Sequence, residues 1–238
     1  MALYTMADTH LSASVGKPMD IFGSRWKDHT EKIANRWNAI VGEKDTVVIG
    51  GDISWALTLE EAAGDLHFID SLHGKKILVR GNHDYWWSTL KKINELFVAE
   101  GISTIELLQN NAIASEGFVI CGSRGWYNDP QNNPKPNCDH RKIVTREVMR
   151  LRMSLEDAEK YEGEKVVFTH FPPVFADYVC EEIVDLLRLY GIKDCYYGHI
   201  HGNYGIPAYT EYRGIRFHIS SADYLDFRPL RVFSDKQR

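Results

Sequence analysis

Five short segments of this 238-residue chain carry side chains that can ligate a metal or move a proton: Asp8-Thr9-His10, Gly51-Asp52, Gly81-Asn82-His83-Asp84, His170, and Gly198-His199-Ile200-His201. Imidazole, carboxylate and amide oxygen together suit borderline divalent ions such as Mn, Fe, Zn or Co. Thiolates would favour softer ions, and an all-oxygen shell would favour Mg or Ca. Asp8, His10, Asp52, Asn82, His170, His199 and His201 make seven candidate ligands. A catalytic zinc takes about three from its protein, so one ion is too few for this set. Two ions that share a carboxylate would use all of them. Such pairs, about 3.5–4 Å apart, clamp the attacking and leaving oxygens of an in-line displacement.

Each segment alone is ordinary turn or cap chemistry; their placement along the chain is the signal. Short apolar runs at Ala2–Met6, Thr46–Ile49, Lys76–Val79, Lys165–Phe168 and Asp194–Tyr197 have the length and β-branched content of buried strands. Each runs directly into one of the five segments. Phe118–Cys121 is a sixth such run, followed by Gly122-Ser123-Arg124-Gly125-Trp126-Tyr127. Helical spacing lies between the runs. Leu59, Ala62, Ala63, Leu66, Ile69 and Leu72 repeat it behind a Thr58/Glu61 capping box. Val179, Ile183, Leu186, Leu187 and Tyr190 repeat it ahead of Gly191, a C′ residue. Further helices are expected near 28–41, 87–100 and 140–162, and further strands between 206 and 233. The alternation predicts an α/β layered domain over 1–238, and open α/β sheets bind ligands beyond the carboxyl ends of their strands.

Composition is that of a globular chain: 44% hydrophobic, 26% charged, with 28 Lys+Arg against 33 Asp+Glu for a net charge of −5. That balance excludes a disordered or collagen-like chain and argues against a nucleic-acid footprint. Cys121, Cys138, Cys180 and Cys195 form no C-x-x-C pair, and no run approaches the roughly 18 apolar residues of a membrane span. The first residues lack the basic start of a signal peptide, so a cytoplasmic location is expected. Asn128 to Asn137, with three prolines, reads as a loop that could rim a site.

As an ordered series, Asp8-x-His10, Gly51-Asp52, Gly81-Asn82-His83-Asp84, His170 and Gly198-His199-x-His201 resemble the calcineurin-like metallophosphoesterase superfamily. The resemblance implies a four-layer α-β-β-α sandwich of two mixed sheets flanked by helices, with a dinuclear centre at one end. Carried over by position, it puts one ion on Asp8, His10, Asp52 and His201, and the other on Asp52, Asn82, His170 and His199. Asp52 then bridges, and His83 is the acid near the leaving group. The implied activity is hydrolysis of a phosphate mono- or diester by in-line attack of a hydroxide bridging two divalent ions. A non-catalytic scaffold for a protein partner and a nuclease are the other readings.

The chain departs from that pattern once. Where the family often has Gly-Asp-x-x-Asp, it reads Gly51-Asp52-Ile53-Ser54-Trp55. Tryptophan is a donor only, so Trp55 cannot accept a bond from a catalytic imidazole, and His83 needs another orienting contact. Arg124 is a candidate substrate contact, because a guanidinium matches phosphate oxygens bidentately. Arg141 and Arg146 fit a solvated helix face. Trp86 and Trp87 are expected in the core. His29, His67, His73, His140 and His218 match no motif and are expected to be structural or surface residues.

Overall fold

The computed structural model describes residues 1–126 and 140–234. In chain order its elements begin with β1 (Leu3–Met6), α1 (His29–Asn38), β2 (Thr46–Ile49), α2 (Ala63–Ser71), β3 (Lys75–Leu78), α3 (Leu90–Glu100) and β4 (Ile105–Leu107). Then come β5 (Ile113–Ser115), β6 (Phe118–Ser123), α4 (His140–Asp157), β7 (Glu164–Thr169), β8 (Val174–Phe175), β9 (Tyr178–Val179) and α5 (Glu181–Leu189). β10 (Asp194–Tyr197), β11 (Tyr209–Tyr212), β12 (Ile215–Ile219) and β13 (Leu230–Arg231) complete it.

One sheet has the order β13-β1-β2-β3-β4 and the other β11-β12-β10-β7-β6-β5, while β8 and β9 pair as a small hairpin. The central strands of both sheets are parallel, and β13, β11 and β5 add antiparallel edges. Parallel strands must be covered on both faces, and three apolar clusters do this. Leu3, Val48, Ile77, Val79, Phe118, Ile120, Val166, Phe168 and Tyr196 fill the space between the sheets. Met6, Val47, Ile49 and Leu78 point the other way, onto Ile33 and Trp37 of α1, Leu66 and Ile69 of α2, and Ile93 and Phe97 of α3. Val119, Cys121, Val167, Cys195 and Phe217 meet Leu151 and Leu155 of α4 and Ile183 and Leu187 of α5. The period-2 alternation along each strand therefore builds the expected four-layer sandwich of two mixed sheets flanked by helices.

Helix starts differ from the sequence reading in two places. The Thr58/Glu61 box forms: Leu57 N and Thr58 N donate to Glu61 Oε2 and Glu61 N to Thr58 Oγ1. It closes a separate turn, however, and α2 starts only at Ala63. The helix expected from 87 begins at Leu90, behind an N-cap at Thr89 whose Oγ1 accepts from Lys92 N. Trp87 belongs to the preceding turn, held by Trp87 N to Asp84 O at 3.2 Å and Trp87 Nε1 to Gln109 Oε1 at 2.7 Å. Gly191 does follow α5 with φ 69°, as a C′ glycine. Trp86 and Trp87 are buried as expected. His67, His73 and His218 have hydrogen-bond partners away from any motif, whereas His29 bonds to the backbone oxygen of His10 in the first motif, as a structural support behind it. The loop at Asn128–Asn137 and Cys138 lie outside the described residues.

Register decides where the strands deliver their last residues. Met6 pairs with Ile49 and Ile49 with Leu78, so β1, β2 and β3 end level. Ser123 pairs with Thr169, Thr169 with Tyr197 and Tyr197 with Ile219, so β6, β7, β10 and β12 also end level. The two rows are joined there, with Ala7 N donating to Ser220 O (2.7 Å) and Ala222 N to Ala7 O (2.8 Å). All five motif segments leave the sheets at this seam.

Candidate metal centre

The seam places side chains from both sheets against one another. Asp8, His10 and His201 bring ligand atoms within 4.8 Å of one another, and Asp52, His170 and His199 do the same. Asp52 Oδ2 links the groups, 3.9 Å from His10 Nε2 and 3.4 Å from His170 Nε2. Asn82 Oδ1 lies 2.8 Å from His170 Nε2, and His83 Nε2 lies 4.0 Å from Asp52 Oδ2. All seven candidate ligands and His83 thus meet at one end of the sandwich. Arg124 stands on a neighbouring cleft wall, facing Glu147.

The backbone is bent to achieve this. Asp8 (φ 61°), His10 (44°), Asp52 (51°) and His199 (69°) all adopt the left-handed region, which costs of order 1–3 kcal/mol per residue and concentrates at functional sites. Two glycines permit the crowding. A Cβ on Gly81 would lie 2.1 Å from Asp52 N and Oδ1, and one on Gly198 would lie 2.6 Å from Asp8 Oδ2.

Hydrogen bonds around the cluster fix which atoms face inward. His170 Nδ1 donates to Gly50 O at 3.1 Å, and His201 Nδ1 donates to Asp223 Oδ1 at 2.9 Å. In its neutral form each ring then turns the lone pair of Nε2 into the cluster, as metal-bound imidazoles do. There His170 Nε2 faces the acceptors Asn82 Oδ1 and Asp52 Oδ2. His201 Nε2 lies 3.3 Å from His10 Nε2 and 3.7 Å from Asp8 Oδ1. Asp8 Oδ1 is buried with no hydrogen-bond partner among the described residues. Acceptors that face acceptors in a buried site need a cation between them. The donor set, mixed imidazole, carboxylate and amide, fits divalent ions.

With protons as the only cations, the same crowding appears as displaced pKa values. Burial and the nearby Asp52 raise Asp8 to about 7, against the pull of His201. Burial alone would lower His201, but Asp8, Asp223 and Asp52 outweigh it and hold this ring at about 9. Burial takes His170 down to about 3, and burial with the neighbouring imidazoles takes His10 well below its ordinary value. A metal requires neutral rings beside carboxylates, so its binding would displace the protons that His201 and Asp8 hold without it.

Asp84 and Asp223 have no role in the sequence reading, and Trp55 figures there only for a bond it cannot make. Asp84 sits inside the third motif, where it splices two segments. Its Oδ2 accepts from Gly81 N (2.7 Å) and Asp52 N (2.9 Å), and its Oδ1 from Ile53 N, Ser54 N and Trp86 Nε1. Asp223 accepts from His201 Nδ1, Gly202 N and Tyr204 OH. It follows β12 as Asp52 follows β2, one more strand end with an acid beyond it, and that pattern was the available signal. Trp55, the departure from the family pattern, lies under the site. Its ring stacks on His10 (4.9 Å, 18°) and contacts His83 (4.3 Å, 47°). Packing against this indole thus positions the His83 ring. Trp55, Trp26, Met19, Phe22 and Tyr204 wall a cleft of about 280 Å³ that opens on His10, His83 and His201.

Comparisons with known proteins agree with this architecture. A 61-residue stretch is 39% identical to the gene 66 protein of Mycobacterium phage L5, covering 24% of this chain and 28% of that protein. The chain therefore spans well under half the length of that relative. Among solved structures, the phosphopantetheinyl hydrolase of Mycobacterium tuberculosis superposes with a TM-score of 0.58 at 16% identity, covering 100% of this chain and 97% of that one. A protein of unknown function from Aquifex aeolicus superposes with a TM-score of 0.54 at 19% identity, covering 97% and 95%. At these identities the likeness is one of fold. No helix among the described residues is long and apolar enough to cross a membrane. The family model for calcineurin-like phosphoesterases matches residues 1–203, which contain every motif described above, and the chain belongs to that family.

Proposed function

We propose that this chain, acting as a single unit over 1–238, hydrolyses a phosphate mono- or diester at a dinuclear metal centre. One observation carries the reading: two buried ligand groups, Asp8-His10-His201 and Asp52-His170-His199, meet at one oxygen of Asp52. Asp8, His10, Asp52 and His201 would hold one ion and Asp52, Asn82, His170 and His199 the other, each Mn, Fe, Zn or Co. When bound, two such ions supply Lewis-acid charge and a water acidic enough to serve as nucleophile near neutral pH. The chain's own groups do the rest. Asp223 and Gly50 O fix the ring orientations of His201 and His170. His83, half-exposed beside the seam and held by Trp55, stands where it can donate a proton to the departing oxygen, typically a 10²–10⁴-fold contribution. Arg124, on the neighbouring cleft wall, would contact substrate oxygens beyond the ester.

The complete ligand set favours an enzyme over a scaffold for a protein partner. The buried, free thiols of Cys121, Cys180 and Cys195 suit a reducing compartment, and a cytoplasmic location is the one proposed. A panel of phosphate mono- and diesters, assayed on metal-stripped protein with each ion restored, tests the reading. Hydrolysis that depends on added metal and disappears in Asp52→Asn and His199→Ala supports it. Equal rates in stripped and reloaded protein, or full activity in both variants, would overturn it.

A further inference from the structure

A second cleft adjoins the Asn82–His170 side of the seam. Its centre is Glu147, a carboxylate of α4 with no solvent exposure. One oxygen of Glu147 gathers three guanidinium groups: Arg150 Nη1 at 2.8 Å, Arg124 Nη2 at 3.5 Å and Arg146 Nε at 3.7 Å. Arg80, an exposed residue just ahead of Gly81, lines the same cleft and forms no salt bridge with a described residue. Three guanidinium groups on one carboxylate, with Arg80 beside them, give the described residues of this corner a positive balance in a chain whose net charge is −5. Burial, with Arg80, Arg146 and Arg150 nearby, lowers Arg124 even though Glu147 opposes it. The charge is also incompletely satisfied, since Arg124 Nε and Glu147 Oε2 are buried with no hydrogen-bond partner among the described residues. Arg124 is the buried member, whereas Arg80, Arg146 and Arg150 reach the cleft from its solvent side, so an anion entering the cleft would meet partly desolvated positive charge.

The cleft measures about 90 Å³, and Ser88, Ser123 and Gln109 add hydroxyl and amide groups to its wall. It is tied to the candidate metal centre through the backbone. Arg80 leads directly into Gly81-Asn82, and Arg124 O accepts from His170 N at 3.2 Å and Phe171 N at 2.9 Å. An oxyanion held by these arginines would therefore sit beside the ester bound at Asp52, on the other flank from the aromatic cleft at His10 and His201.

We propose that Arg80, together with Arg124 and Arg150 held by Glu147, forms a subsite for a second phosphate group of the substrate, separate from the phosphate ester that is cleaved. Guanidinium forks match phosphate oxygens in paired, charge-assisted bonds, and Glu147 is the positioning residue that aligns two of them. The proposal rests on the hydrolytic reading for where the cleaved ester lies, but its test does not. Metal-stripped full-length protein is titrated with inorganic phosphate by calorimetry. Wild-type protein binds it, with an affinity that falls as salt rises. Arg80→Gln weakens binding by about 10- to 100-fold, the worth of a bond between charged groups. Arg80→Lys, which keeps the charge but not the fork, falls between, and His199→Ala binds as wild type does. Unchanged affinity in Arg80→Gln, or no phosphate binding to the wild-type protein, overturns the subsite. With manganese restored, Arg80→Gln lowers the preference for an ester bearing a second phosphate over p-nitrophenyl phosphate by about 10-fold or more, and an unaltered preference also overturns it. Protein that binds phosphate through Arg80 but cleaves neither ester upholds the anion site and refutes the hydrolytic reading instead.

Discussion

Gly81→Ala adds one methyl group at the tightest point of the seam. That carbon would lie 2.1 Å from both the amide nitrogen and Oδ1 of Asp52, and 2.9 Å from its Cα. Ordinary contact needs about 3.5 Å or more, so the segments carrying Asp52 and Asn82 must part by more than 1 Å. Four hydrogen bonds span that gap: Asp52 N to Asp84 Oδ2 (2.9 Å), Ile53 N and Ser54 N to Asp84 Oδ1 (2.8 and 3.2 Å) and His83 N to Asp52 Oδ1 (2.7 Å). Each has a carboxylate acceptor and is worth about 1.5–3 kcal/mol. Losing two of them costs about 3–6 kcal/mol, against a gain of at most about 1 kcal/mol from a stiffer unfolded chain. Urea denaturation of metal-stripped protein measures this directly, and manganese titration measures the displaced Asp52 separately. Gly205→Ala is the matched control, because its Cβ would meet nothing within 4 Å, and it should change stability by less than about 1 kcal/mol. A Gly81→Ala protein as stable as the control, with undiminished manganese affinity, would refute the claim that this contact sets the spacing of the two motifs.

Two further outcomes follow from the same geometry. Asp223→Asn removes the charge that holds His201 through Nδ1 and should weaken metal binding by about 10- to 100-fold, as read by competition with a chelating dye; an unchanged affinity would show that Asp223 does not act through His201. Stability should also depend on pH differently with and without metal. In stripped protein His201 is held at about 9 against an ordinary 6.5, so the folded state binds the extra proton between those values and stability falls as pH rises from 6.5 to 8. Asp8, at about 7, adds to the fall at the lower end of that window, whereas Lys76, pushed by burial to about 8, acts in the opposite direction above it. Metal-loaded protein needs His201 neutral and should show no such fall. Melting temperatures across that window check this, and a fall of equal size in both forms would contradict it.

How much of this was legible in the sequence follows from which residues signal locally. Short β-branched runs that end in Asp, His or Asn mark both the strands and what they deliver, because a buried parallel strand has no other use for those polar residues. The four layers were legible through the resemblance, and the alternation of Val47, Val48 and Ile49 between two apolar clusters gives its physical basis. Helix starts were less legible. The Thr58/Glu61 box satisfies its own donors in a turn as readily as in a helix, and Trp87 is held by Asp84 and Gln109. Asp223 and Glu147 were missed because their roles depend on partners 22 and 23 residues away, His201 and Arg124. Trp55 was read for the bond it cannot make, and its role proved to be the faces it offers His10 and His83.

Anomalous diffraction from a crystal grown with manganese tests the dinuclear reading most directly. Two peaks about 3.5–4 Å apart, with Asp52 between them and His10, His201, His170 and His199 around them, are expected. A single peak, or manganese bound anywhere other than between Asp8 and His170, would contradict it.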